Sequence, residues 1–65
     1  MSRQITVTGM SCEGCEQSVE DALEGVSGVE DATADRESET ATVEGDADEA
    51  ALVQAVEDAG YEASA

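Results

Sequence analysis

The chain has 65 residues, with 17 Asp and Glu against two Arg and no Lys, giving a formal net charge of −15. A chain this short is one domain and buries only about 60% of the surface it exposes when unfolded, so its core is small. So negative a surface repels nucleic acid phosphates and anionic lipid headgroups, and a body whose only aromatic is Tyr61 is too slight to enclose an enzyme substrate.

Taken in chain order, "RQITVT" (3–8) alternates, with Ile5 and Val7 on one face, and predicts a strand that Gly9 ends. From 13 to 25, Cys15, Val19, Ala22, Leu23 and Val26 fall on one helical stripe. Glu13, Glu16, Glu20 and Glu24 take the other side and read as a solvated face. "GVSG" (25–28) closes this helix, with Gly25 in the position that follows the cap. Val29, Ala32 and Ala34 carry a weaker strand over 29–37, and 38–39 form a tight turn. "TATVE" (40–44) resumes the alternation with Ala41 and Val43 inward, which makes a hairpin. Asp46 caps a second helix, with Glu49 three residues on completing a capping box. Leu52, Ala55, Val56 and Ala59 line its buried face, Gly60 ends it, and 61–64 form a short last edge strand. The order βαββαβ predicts an α+β, ferredoxin-like fold: a four-stranded antiparallel sheet with both helices on one face.

No stretch approaches the ~20 apolar residues of a membrane span, and "MSRQITVTGM" lacks the apolar run of a signal peptide. A cytoplasmic location is expected, where thiols stay reduced and a cysteine pair serves metal binding or catalysis more often than structure. Cys12 and Cys15 are the only cysteines. Cys15 falls near a helix N-terminus, where unpaired N–H groups and the macrodipole favour a thiolate. Cys12 sits just before it, so the two sulfurs can converge at an open rim. Two thiolates with no third strong ligand suit a soft, low-coordinate ion, and Cu(I) comes first. A structural zinc site wants four ligands, and this chain has no His; Glu13 or Glu16 could complete a zinc shell, although nothing in their spacing demands it. A thioredoxin-like redox pair is the competing reading of CxxC, but such proteins are longer and carry Pro inside and against the motif, whereas Pro is absent here. A disulfide across so short a loop would remove little unfolded-state entropy.

"GMSCEGC" (9–15), "LEGVSGV" (23–29) and "AVEDAGYEA" (55–63) together resemble the signatures of the heavy-metal-associated domain, in order and over nearly the whole chain. More narrowly they resemble the free-standing copper chaperones of bacteria and archaea. That resemblance implies Cu(I) as cargo on Cys12 and Cys15, passed through shared thiolates to a metal-binding domain of a copper-transporting P-type ATPase. Ser11 stands where zinc-exporting relatives often carry an acid, which leans toward copper. The resemblance puts Met10 beneath the loop as packing, with a thioether ligand as the alternative. It puts Tyr61 opposite the loop, shielding the ion or bonding near a thiolate, or else capping the core. Gly9 and Gly14 let the loop bend; Ser11, Glu13 and Gly14 are expected near a docking surface without being ligands.

Some copper chaperones dock through lysine patches, which this chain lacks, so docking is expected to depend on the bound metal. Abundant acid without Lys resembles the proteins of halophilic archaea, and folding is expected to depend on salt, since at ~1 M the Debye length is about 3 Å. The expected protein is a carrier and not an enzyme, monomeric or bridged into a dimer by metal, without nucleic acid partners or membrane insertion. The alternatives are a carrier of Zn, Cd, Hg or Ag, and a small thiol–disulfide oxidoreductase.

Overall fold

A computed structural model describes residues 2–64. Its elements are β1 (Ser2–Thr8), α1 (Glu13–Glu24), β2 (Val29–Asp35), β3 (Thr40–Gly45), α2 (Glu49–Asp58) and β4 (Glu62–Ser64). The strands form one antiparallel sheet in the order β2-β3-β1-β4. This is the ferredoxin-like plan that the sequence predicts.

Alternation decides which face is covered. Ile5, Val7, Ala32, Ala34, Ala41 and Val43 point to one side and join Val19, Leu23, Leu52 and Val56 of the two helices in a single buried cluster. Each large aliphatic side chain removed from water there contributes roughly 1.5–3 kcal/mol. The opposite sheet face carries Gln4, Thr6, Thr33, Thr42 and their charged neighbours, so among the described residues no apolar side chain there is left waiting for a second layer.

Several boundaries differ from the sequence expectations, each for a local reason. β2 stops at Asp35, not at residue 37, because the Asp35 carboxylate accepts the Glu37 N–H at 2.9 Å and turns the chain. The reversal accordingly spans 36–39, with Glu39 in the left-handed region (φ 58°). Within β2, a bulge between Val29 and Asp31 moves the inward phase from odd to even positions, which is how Val29, Ala32 and Ala34 can share one side. α1 ends on Gly25 in right-handed conformation, and the left-handed residue is Gly28 (φ 95°). α2 begins two residues later than expected: Asp48, not Asp46, is its cap and accepts the Ala50 N–H. Asp46 donates its own N–H to the Gly28 carbonyl, and Ala47 plugs into the core, so the backbone must cross before the helix can start. Gly45 (φ 128°) permits that crossing; a Cβ there would collide with the Gly28 carbonyl oxygen. Ala59, expected on the buried face of α2, is exposed: the helix ends at Asp58 and Ala59 is its C-cap.

The pairing Thr6↔Thr40 and Thr8↔Glu62 brings three connections to one end of the sheet. They are the loop 9–12, the hairpin turn 36–39 and the link 59–61. Both cysteines lie at this end.

Candidate metal centre

Gly9 opens the loop in a conformation (φ 92°) that L side chains rarely adopt. The next residue, Met10, is half-buried against the core and ties the loop down. Ser11 and Cys12 are exposed. Cys12 has extended backbone (φ −154°, ψ 172°) and occupies the cap position of α1, yet its side chain makes no capping hydrogen bond. Its carbonyl instead accepts the N–H groups of Cys15 (3.0 Å) and Glu16 (3.3 Å), which starts the helix. Cys15, in the first turn, is half-buried.

The two sulfurs lie 3.5 Å apart, as free thiols. Their surroundings are unequal. Hydrogen bonding from the Tyr61 hydroxyl, followed by the backbone and hydroxyl of Ser11 and then Cys12, draws the Cys15 thiol down from 9.0 to about 6. The Ser11 Oγ lies 3.8 Å from the Cys15 Sγ. The same contact raises the Tyr61 phenol, so the tyrosine keeps its proton and remains a donor at neutral pH. The lowered thiol of Cys15 is thus the half-buried sulfur, with the Ser11 hydroxyl beside it; Cys12 is the accessible sulfur. Tyr61 itself is half-buried and packs against the core. Gly14 is exposed beside the pair, and a Cβ on it would make only ordinary contact with the Cys12 sulfur at 3.7 Å.

Among the described residues, no group of three or more His, Cys, Asp or Glu side chains converges. Such a two-sulfur donor set fits a soft ion of low coordination number and fits closed tetrahedral zinc poorly. Glu13 and Glu16, weighed as completing ligands, do not join the sulfurs in any such group.

Two residues escape the sequence reading. Glu16 and Glu20, assigned there to a solvated face, turn toward β2. Glu16 Oε2 accepts the Arg36 N–H at 2.7 Å, and Oε1 lies 3.5 Å from the Arg36 guanidinium. Glu20 Oε2 accepts the Ala34 N–H at 2.9 Å. β2 is an edge strand, so the Glu20 bond satisfies a donor that would otherwise be open to another chain, while the Glu16 bond holds the first residue of the turn that follows. The only signal in the sequence was two glutamates one helical turn apart, and that spacing is equally at home on a wet surface.

No helix among the described residues is long and apolar enough to cross a membrane. Residues 4–62 match the family model of the heavy-metal-associated domain. The chain is 44% identical to part of a copper-transporting ATPase 2 of Rhizobium meliloti (strain 1021), covering 94% of this chain and 8% of that protein. It is 42% identical to part of a mercuric reductase of Acidithiobacillus ferrooxidans, covering 89% of this chain and 11% of that protein. The chain thus spans about a tenth of the length of these two relatives. A solved structure described as the CopZ metallochaperone superposes with a TM-score of 0.92 at 31% identity, covering 98% of this chain and 100% of that one.

Proposed function

The chain belongs to the heavy-metal-associated domain family, and from that premise we propose that it is a Cu(I) carrier that holds one ion between Cys12 and Cys15. It delivers the ion by thiolate exchange to a metal-binding domain of a copper-transporting P-type ATPase. The observation that carries this is the exposed pair of free sulfurs 3.5 Å apart, with no third protein ligand gathered round them among the described residues. An under-coordinated ion at a rim can be reached by an incoming thiolate, which is what ligand exchange requires. Thiolates select Cu(I) over harder cations. The CopZ metallochaperone, matched over its whole length, supports a carrier that works as a separate small protein; the ATPase relative supports the same chemistry inside a larger one.

The inequality of the sulfurs suits a hand-over. Cys15, the half-buried sulfur with its thiol lowered by Tyr61 and Ser11, anchors the ion, and the exposed Cys12 lets go first. The protein acts as carrier and not as enzyme, in the cytoplasm, where thiols stay reduced. With no Lys and only two Arg, it docks through short-range contacts around residues 9–15 and Tyr61 together with the bridging ion. The mercuric reductase relative favours one second reading, a carrier of Hg(II), which the same two thiolates would hold.

Anaerobic competition titration of the reduced protein against a strong Cu(I) chelator, with parallel Zn(II) and Hg(II) arms, tests this. One Cu(I) per chain is expected, lost in both Cys12→Ser and Cys15→Ser, with Zn(II) displaced by Cu(I). Tight Hg(II) uptake with Cu(I) surrendered to the chelator would move the assignment to the second reading. Turnover of disulfide substrates without metal would move it to an oxidoreductase.

A further inference from the structure

The first turn of α1 carries the anchoring sulfur, yet the first fully buried residue of that helix is Val19, one turn beyond Cys15. Hydrophobic packing therefore grips α1 below the site and not at it. Glu16 supplies the missing grip: its carboxylate reaches the Arg36 N–H at 2.7 Å and the Arg36 guanidinium at 3.5 Å. Glu20 repeats the contact on the Ala34 N–H at 2.9 Å. The spacings are commensurate. Four residues of helix advance about 6 Å and two residues of extended chain about 6.7 Å, so one helix face can be joined to the end of β2 and to the first residue of the turn after it. The order of pairing, 16 with 36 and 20 with 34, requires α1 to run antiparallel to β2, as the topology has it.

We infer that Glu16 and Glu20 are positioning residues for the metal pair: a two-point clamp that fixes the rotation and height of the first turn of α1 and so sets the Cys15 sulfur 3.5 Å from that of Cys12. This inference rests on the reading of Cys12 and Cys15 as the metal ligands. A helix that slips by one residue rises 1.5 Å and rotates about 100°, which carries the Cys15 sulfur away from that of Cys12. Glu16, adjacent to Cys15, matters more than Glu20. The guanidinium contributes little, since Arg36 is 41% exposed and screened by water and salt. The backbone N–H is the working partner, and an amide oxygen can accept from it as a carboxylate does.

The test compares Glu16→Ala, Glu16→Gln, Glu20→Ala and Arg36→Ala with the parent chain. Tyr61 is the only aromatic residue and its ring stands beside Gly9 at the foot of the loop, so tyrosine emission of the apoprotein reports a change in the packing of this end independently of any metal. Hydrogen exchange at the Arg36 amide reports the clamp itself. Glu16→Ala is expected to speed that exchange, to change tyrosine emission, and to weaken Cu(I) binding at least ten-fold, the lower end of what loss of an outer-shell partner costs. Glu20→Ala is expected to do the same more weakly; Glu16→Gln and Arg36→Ala are expected to stay within two-fold of the parent.

Unchanged emission and affinity in Glu16→Ala would overturn the inference. So would a Glu16→Gln as damaged as Glu16→Ala, which would assign the effect to charge. A parent chain that takes up no metal, with emission and exchange still responding to Glu16→Ala, would overturn the carrier function while leaving the clamp in place.

Discussion

The two helices begin in comparable backbone and end up doing different things with it. Asp48 and Cys12 both precede their helices with extended dihedrals, the geometry an N-cap needs. Asp48 uses its side chain to accept the Ala50 N–H and so stabilises α2. Cys12 forgoes that bond, and its sulfur faces Cys15 instead. α1 then recovers support one turn later, from Glu16 and Glu20 at the end of β2. A cap and a metal thiolate compete for the same position. Where the chemistry takes it, the stabilising bonds move down the helix.

That contrast can be broken from either side. Asp48→Ala is expected to lower stability by about 1 kcal/mol, the usual worth of an N-cap, and the melting temperature by roughly 4–8 °C for a domain of this size. Metal uptake should not change, and thermal melts alongside chelator competition check both halves. Cys12→Asp makes the converse trade. A carboxylate at a residue already in cap conformation is expected to stabilise α1 by about 0.5–1 kcal/mol while abolishing metal uptake. A Cys12→Asp chain that melts below the parent would mean that the loop, and not the sulfur, prevents capping there.

The same pair of helices separates what could be read in the sequence from what could not. Strands β1 and β3, the apolar stripe of α1 and the cysteine pair were legible because period and spacing are local properties of the chain. The start of α2 was not. Asp46 and Asp48 are both acceptable caps, and the choice falls to the later one because Asp46 N–H is drawn to the Gly28 carbonyl, a contact between segments 18 residues apart. Gly25 and Gly28 presented the same ambiguity at the end of α1, and only Gly28, pressed against the Asp46 carbonyl, needs the left-handed conformation. Around the site, the residues with chemical character were visible, but the inequality of the sulfurs was not. It depends on Tyr61 arriving from the far end of the chain. Glu16 and Glu20 were hidden for the opposite reason: among 17 acidic residues, two with structural partners look like all the others.

The smallest expected effect is also the one that most directly probes how α1 manages without its cap. Tyr61 gives the largest single contribution to lowering the Cys15 thiol to about 6, through a hydrogen bond that favours the charged sulfur. Because the folded value lies below the ordinary 9.0, the thiolate contributes its full stabilisation above pH 9.0. That contribution is lost progressively as the pH falls through about 6. Tyr61→Phe keeps the ring against the core but removes the hydroxyl, so the midpoint should rise above 6 while remaining below 9.0, since the Ser11 contacts persist. Alkylation of Cys15 followed from pH 5 to 9, in a Cys12→Ser background so that one thiol reports, gives the midpoint directly. Stability below pH 5 should match the parent, as the sulfur is protonated in both. Above pH 7 the variant should be the less stable of the two. An unmoved midpoint would reduce Tyr61 to a cap on the core and leave Ser11 and the start of the helix as what holds the anchoring sulfur in its charged form.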